Sequence, residues 1–104
     1  MHARFARYTF SGDAQELARR VEDGMLPILQ AQPGFRAYLV IESDDEIVSF
    51  SGWDSAEQAE AANATIAGWV AANIAGDVQL TEARIGEVLI STALGVSTKA
   101  GAAA

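Results

Sequence analysis

The most informative part of the sequence is FRAYLVIESDDEIVSFSGWDSAEQA, which runs from Phe35 to Ala59. Residues 35–42 and 46–53 are rich in β-branched and aromatic residues, and the acidic tip between them is short, which is typical of a β-hairpin. Asp54 or Ser55 follows at once and can cap a helix, because a side-chain oxygen there accepts a hydrogen bond from the first helical turn. The stretch therefore predicts strand, tight turn, strand and helix in immediate succession.

The residues before this stretch predict a strand and a helix. Residues 2–10, HARFARYTF, are rich in aromatic residues and predict the strand. Asp13, with Glu16 three residues later, forms a capping-box pattern ahead of apolar residues at helical spacing. Pro27 lacks the N–H that a continuous helix needs, and Gly24 weakens the same turn, so we expect a kink or a break there.

The residues after the stretch complete the order of elements. Residues 79–91 predict a last strand, with a bulge at Gly86. The order strand, helix, strand, strand, helix, strand predicts an α+β ferredoxin-like fold, βαββαβ, in which right-handed crossovers place both helices on one face of a four-stranded antiparallel sheet. We expect one domain over residues 1–91, followed by a flexible tail over residues 92–104, whose small residues show no period.

The composition excludes several classes of function. The 104 residues suffice for one domain, and 14 acidic against 7 basic side chains give a net charge of −7, which repels phosphate backbones and anionic lipid. No apolar run is long enough to span a bilayer. The chain has no cysteine, and no apolar segment typical of a secretory signal follows its first residues. We therefore expect a cytoplasmic protein that binds neither nucleic acid nor membrane.

A two-residue loop at Asp44-Asp45 fixes the register of the hairpin and divides its residues between two faces. One face is apolar, and we expect it beneath the helices. It carries Phe35, Ala37, Leu39, Ile41, Val48, Phe50 and Gly52. The other face is mixed, and we expect it to be uncovered. It carries Arg36, Tyr38, Val40, Ile47, Ser49, Ser51 and Trp53. In this register Arg36 lies opposite Trp53, close enough for a guanidinium to stack on an indole, and Tyr38 lies opposite Ser51.

The mixed face has two interpretations. An indole, a phenol, a cation and small hydroxyls are the side chains of a pocket for a flat, oxygenated ring compound. Aromatic residues and arginine are also enriched in wet dimer interfaces. An uncovered face that is partly apolar and aromatic favours a homodimer in either case, because a second copy of the chain would cover it.

Several short motifs together resemble one family. GFRAYLV, a short acidic turn, a strand leading into WDSAEQA, and GEVLIS in the last strand resemble the antibiotic biosynthesis monooxygenase-like family, the dimeric α/β barrel proteins. The resemblance extends over residues 3–91. It implies a homodimer whose two sheets meet face to face, with a ligand cleft in each protomer between the sheet and the helices.

The resemblance also implies a chemistry. Monooxygenase members insert oxygen into a polycyclic phenol without metal, flavin or haem, so no cofactor is expected. Family sites use tryptophan, tyrosine, asparagine and arginine. Here Trp53 matches the strand-end tryptophan, while Tyr38, Asn63 and Arg36 match in residue type. Haem-degrading relatives need a histidine on the second helix and an asparagine in the first strand, and this chain has neither, which argues against haem oxygenation.

Each candidate residue has a chemical role and a structural alternative. Without a cofactor the substrate supplies the electrons, so the protein must form and hold an anion in a dry site. Arg36 or Arg4 can stabilise that oxyanion, Tyr38 can hydrogen-bond it, and Trp53 can stack on the ring. Alternatively Arg36 extends along the sheet edge, and Tyr38 and Trp53 pack in a core or an interface. Asn63 lies in mid-helix, where its amide faces either a cavity or solvent.

The sequence therefore predicts a homodimer with a pocket for a small aromatic ligand, and with it a cofactor-free monooxygenase acting on aromatic or polycyclic phenolic compounds. A non-catalytic small-molecule binding module and a stress-response dimerisation protein stand as alternatives, because strand alternation defines a face but not the volume above it. No metal site is predicted, since the acidic residues of the hairpin belong to a solvated turn.

Overall fold

A computed structural model describes residues 1–99 of the chain and shows four strands and three helices. In chain order they are β1 (His2–Phe10), α1 (Ala14–Gly24), α2 (Leu26–Ala31), β2 (Phe35–Ser43), β3 (Glu46–Trp53), α3 (Ala56–Asn73) and β4 (Val78–Glu87). The strands form one antiparallel sheet in the order β2-β3-β1-β4. The predicted ferredoxin-like α+β fold is confirmed. Within residues 1–99, no helix is both long and apolar enough to cross a membrane.

Local signals place the starts of α1 and α3 and the break in the first helix where the sequence predicts them. The Asp13 side chain accepts a hydrogen bond from the backbone N–H of Gln15 at 2.9 Å, and Ser55 caps α3 by accepting from Gln58 at 3.2 Å. The first helix breaks at Met25, so α1 and α2 are separate helices with Pro27 in the first turn of α2. The break follows from the N–H that proline lacks.

The last strand differs from its prediction in length and in the position of its irregularity. It ends at Glu87 and not at residue 91. The register of β1 against β4 shifts between Arg7 and Tyr8, opposite Thr81, and not at Gly86. The Thr81 hydroxyl donates to the Arg7 carbonyl at 3.0 Å, which stabilises the chain where the ladder is interrupted.

The predicted hairpin register is confirmed over most of its length and wrong at its open end. Ser43 pairs with Glu46, and the ladder continues from there to Ala37 opposite Gly52. A shift between Phe35 and Ala37 then places Phe35, not Arg36, opposite Trp53. The cause is an extra residue in β2, and the predicted stacking of Arg36 on Trp53 does not occur.

The assignment of the two hairpin faces is reversed from Ala37 to Trp53, whereas Phe35 packs against the core and Arg36 is exposed, as predicted. Trp53 is completely buried, and Ser49 and Ser51 are buried with it beneath the helices, whereas Leu39 is 53% exposed on the opposite face. The reason is that the inner side chains include small residues and that the hydroxyl nearest the indole is hydrogen-bonded. Serines let the helices approach closely, and the Ser51 hydroxyl accepts the Trp53 indole N–H at 2.9 Å, so this polar pair is buried without a lost hydrogen bond.

Trp53 anchors the main core. It packs with Met25, Leu29, Ala59, Ala62 and Ile66, which come from the break after α1, from α2 and from α3. The Phe35 ring meets the Trp53 ring edge-on, with the ring centroids 5.5 Å apart. Alanines on the inner side of α3 bring that helix close to the sheet, so the indole fixes how α2 and α3 sit over β3.

The segment after β4 turns back onto the outer face of the sheet, the face without helices. Ser91 and Val96 exchange backbone hydrogen bonds of 2.8 and 2.9 Å, and a Cβ atom at Gly52 would lie 3.0 Å from Leu94. The flexibility predicted for residues 92–104 stays a prediction, and residues 100–104 of that tail lie outside the described residues.

Candidate functional site

Arg4 carries a buried charge on the inner face of the sheet, the face beneath the helices. Arg4 is 2% exposed and lies on β1 between Ser51 of β3 and Ile85 of β4. The guanidinium donates from Nε to the Asn63 Oδ1 atom at 2.6 Å and from Nη2 to the Tyr8 hydroxyl oxygen at 3.2 Å. No ion pair formed within residues 1–99 includes Arg4.

A buried guanidinium that has neutral partners alone is costly to the fold. Buried charges in proteins are normally paired, because moving an ion out of water costs several kcal/mol unless an opposite charge offsets the loss. An amide oxygen and a phenol satisfy the geometry of Arg4 without supplying a negative charge. The arrangement is therefore complementary to an anionic group that the described chain does not itself provide.

Tyr8, which contacts Arg4, lines a cavity of about 40 Å³ between the inner face of the sheet and helices α1 and α3. Its walls are mostly apolar, and the polar residues among them are Tyr8, Tyr38 and Ser49. Because the Tyr8 oxygen accepts from Arg4, the Tyr8 proton remains available as a donor. Arg4 does not itself line the cavity, but it donates to the Tyr8 hydroxyl, and its charge also acts on Tyr38.

Tyr38 supplies a second phenol, which stays neutral. Burial and the neighbouring Tyr8 phenol raise the pKa of Tyr38 to about 12, against the opposing effect of the Arg4 charge. A phenol with so high a pKa is a hydrogen-bond donor across the physiological pH range and is not a base. Both phenols line the same cavity, and the guanidinium contacts the Tyr8 oxygen from outside it.

An open groove of about 680 Å³ between α1 and β2 adjoins the cavity. The two spaces share four lining residues, namely Ala18, Val21, Tyr38 and Val40. The cavity alone is the size of a few water molecules, whereas the groove matches the 300–1,000 Å³ that is typical of small-ligand sites. A ring compound therefore fits in the groove, with one edge of its ring directed toward the phenols of Tyr8 and Tyr38.

Two of the four predicted site residues lie at the Arg4 cluster or its cavity, and two do not. Tyr38 lies on the wall between groove and cavity, and Asn63 is half-buried and holds Arg4. Trp53 lines neither space, because it is enclosed in the core. Arg36 is exposed and forms a 2.5 Å hydrogen bond to the Asp54 carboxylate, so it is not part of this cluster.

The sequence interpretation did not include Tyr8. The alternation of side chains along β1 could have identified it, because Arg4, Ala6 and Tyr8 are alternate residues of one strand and must lie on the same face. That face pairs with Ser51, Ser49 and Ile47 of β3, which is the mixed face of the hairpin. Joining the two registers would have aligned Tyr38, Ser51 and Arg4 across three strands and placed Tyr8 on the same face of the sheet.

Solved structures with this fold are known, although no family sequence model and no curated protein sequence matches the chain. The cofactor-independent oxygenase SnoaB of Streptomyces nogalater is 15% identical with a TM-score of 0.68, covering 88% of this chain and 95% of its own. A candidate antibiotic biosynthesis monooxygenase of Chloroflexus aurantiacus is 18% identical with a TM-score of 0.67, covering 90% and 98%. Rv0793 of Mycobacterium tuberculosis is 21% identical with a TM-score of 0.66, covering 88% and 97%. At these identities the likeness shows the fold, which is the fold that the sequence resemblance implied.

Replacing Arg4 tests whether its charge stabilises the fold or is held for a ligand. We expect Arg4→Met to lower the free energy of unfolding by at most about 1 kcal/mol, or to increase it. The reason is that removing a buried charge with no counter-ion relieves a desolvation cost. Urea denaturation measures this, with the exposed Arg84→Met as control. A loss of about 3 kcal/mol or more, as for a broken buried ion pair, would show that Arg4 is structural.

The high pKa of Tyr38 predicts its titration. At about pH 10.5 an ordinary tyrosine is mostly ionised, but Tyr38 is still protonated in the folded protein. Wild type and Tyr38→Phe should therefore gain the same tyrosinate absorbance up to that pH. The unfolded chain ionises first, so the folded state should lose stability as the pH rises from about 10 toward 12. A gain that is smaller by one tyrosinate in Tyr38→Phe would contradict the burial of this phenol.

Proposed function

We propose that the protein binds an ionised phenolic ring compound and acts on it as a cofactor-free monooxygenase. The observation that carries the proposal is the buried Arg4 guanidinium, which has no anionic partner within the described chain and lies behind two phenol donors at a small cavity. The fold shared with a cofactor-independent oxygenase supports the proposal at the level of architecture alone.

The reaction needs no reductant beyond the substrate. For an anthrone, loss of one CH₂ proton gives an enolate whose charge lies on the ring oxygen. One electron passes to O₂, the resulting radical and superoxide join through a new C–O bond, and the peroxide takes up the proton. The carbon then loses its second proton while the O–O bond breaks and hydroxide leaves. This forms a C=O group, and the proton and hydroxide give one water. The CH₂ carbon loses four electrons and O₂ gains four, so the equation balances.

The proposed contribution of the protein is electrostatic. Tyr8 and Tyr38 donate to the ring oxygen where negative charge develops, and Arg4 acts through Tyr8 to favour the ionised substrate. Asn63 orients the guanidinium. The apolar wall excludes water, which strengthens each of these interactions.

The cavity wall contains no carboxylate and no imidazole, so no side chain there is suited to remove the substrate proton. The proton would instead pass to water in the groove. This restricts the proposed substrates to compounds that are already acidic, such as anthrones and polyhydroxylated aromatic compounds. The lack of a base in the cavity wall is also consistent with a non-catalytic function, in which the protein binds such an anion without turnover.

Oxygen uptake with 1,8-dihydroxy-9-anthrone tests the activity. We expect uptake that falls by about 100-fold or more in Arg4→Met, which removes the buried positive charge, and in the double variant Tyr8→Phe, Tyr38→Phe, which removes both donors to the oxyanion. Arg84→Met, which removes an exposed arginine from β4, should stay within about twofold of wild type. Uptake that is insensitive to Arg4 and both tyrosines would place the chemistry elsewhere. Arg4-dependent binding without uptake would favour the binding function.

We also propose that the protein is a homodimer that buries the outer face of the sheet. That face carries apolar side chains on three strands, including Phe5, Leu39, Ile41, Val48 and Phe50. The Phe5 and Phe50 rings are 5.3 Å apart, and Arg7 beside them pairs with Glu46 and Glu82. An apolar centre with charged pairs at its margin has the composition of a protein interface.

Charge placed on the outer face should dissociate this dimer. We expect wild type to have the mass of two chains in light scattering and Leu39→Glu to have the mass of one, because the substitution buries an unpaired carboxylate in the interface. Ile28→Glu is the matched control, since Ile28 is 44% exposed but lies on α2, on the other side of the sheet. A wild-type monomer at micromolar concentration would contradict the proposal.

A further inference from the structure

We infer that the groove between α1 and β2 is the entrance to the site and that Asp13 and Glu22 on its rim select substrates with a cationic group at the end remote from the phenol. The inference rests on the proposed function, because it takes the phenolic end to lie at Tyr8 and Tyr38. It adds a substrate class, namely amine-bearing phenolic ring compounds, and two residues that determine specificity.

The entrance follows from how the two spaces meet. Groove and cavity share Ala18 and Val21 on α1 and Tyr38 and Val40 on β2, so these four residues form the passage between them. Tyr8 lies at the inner end, where it is 8% exposed, and its hydroxyl has no hydrogen-bond acceptor among residues 1–99. A donor with no acceptor, in a buried position, marks the place that a ligand oxygen would occupy.

The size of each space sets the orientation of the ligand. The cavity of about 40 Å³ admits an oxygen and its attached ring edge but not a fused ring system. The rest of the ligand must then lie in the groove of about 680 Å³, which is open to solvent. Whatever substituent the ring carries opposite its phenol is consequently held at the rim of the groove.

The rim is acidic. Asp13, Glu16 and Glu22 line the groove together with a single cation, Arg19. Arg19 is paired with Glu16, which leaves Asp13 and Glu22 without an ion-pair partner among the described residues. The Asp13 charge is partly offset because it caps α1, whereas Glu22 has no such partner. The trailing end of the ligand therefore meets net negative charge, while its leading end meets the buried positive charge of Arg4.

The two charges together describe one kind of ligand. A ring compound with an ionisable hydroxyl at one end and an ammonium group at the other is complementary to both. Since the rim carboxylates are solvated, each should change affinity by about threefold, and the effect should weaken as salt is added.

Binding of two matched probes tests this inference. The probes are 6-(aminomethyl)-2-naphthol and the neutral 6-(hydroxymethyl)-2-naphthol, measured by isothermal titration calorimetry on the full chain. We expect the amine to bind about tenfold more tightly at low salt. The double variant Asp13→Asn, Glu22→Gln should reduce this preference to about twofold, because asparagine still caps α1 while both charges are lost.

Two control variants separate charge and passage from general effects. Asp44→Asn, Asp45→Asn removes the same charge at the distant hairpin tip and should keep the tenfold preference. Ala18→Phe should block the passage and lower the affinity of both probes by about tenfold or more, whereas Ala72→Phe on the exposed side of α3 should not.

The outcomes distinguish this inference from the function on which it rests. Equal affinity for the two probes, an unchanged preference in the rim variant, or normal binding to Ala18→Phe would overturn the inference. If binding is then still lost in Arg4→Met, the proposed anion site stands without it. If wild type binds neither probe, both the anion site and the acidic entrance are wrong.

Discussion

The cost of burying the Arg4 guanidinium is the constraint on which the site depends. A charge in this position attracts any anion strongly because the surrounding apolar side chains screen little of its field. The chain supplies an amide from α3 and a phenol from its own strand, which fix the geometry and leave the charge unbalanced. The helix, the central strand and the two tyrosines are thereby arranged around an anion that must come from outside the described chain.

The two faces of the sheet serve different purposes because their side chains differ in size and polarity. The inner face combines a large indole with serines and alanines, so helices pack closely at Trp53 and leave a cavity beside Tyr8 and Tyr38. The outer face carries exposed leucine, isoleucine and phenylalanine. A polar network protected by helices and an apolar surface left free are what a dimer with one site in each protomer would require.

Local signals predicted the fold well because they act over a few residues. The side-chain caps at Asp13 and Ser55 and the break before Pro27 depend on backbone chemistry, and the two-residue loop set the hairpin register from Ala37 onward. Which face the helices cover is a tertiary choice, and alternation alone favoured the apolar one. It failed here because the inner serines are small and the hydroxyl nearest the indole is satisfied.

The candidate site was predicted in part for the same reason. Tyr38 and Asn63 lie in or beside the cluster. Residue type identified them, although the face that carries Tyr38 was expected to be uncovered and lies beneath the helices. Arg36 lies outside it because one extra residue in β2 turned its side chain toward Asp54. The most direct test of the anion site is the pKa of 2-naphthol bound to the protein, followed by its absorbance. Because Arg4 favours the anion, binding should lower this pKa and Arg4→Met should remove the decrease, whereas a pKa that binding leaves unchanged or raises would contradict an anion site at Arg4.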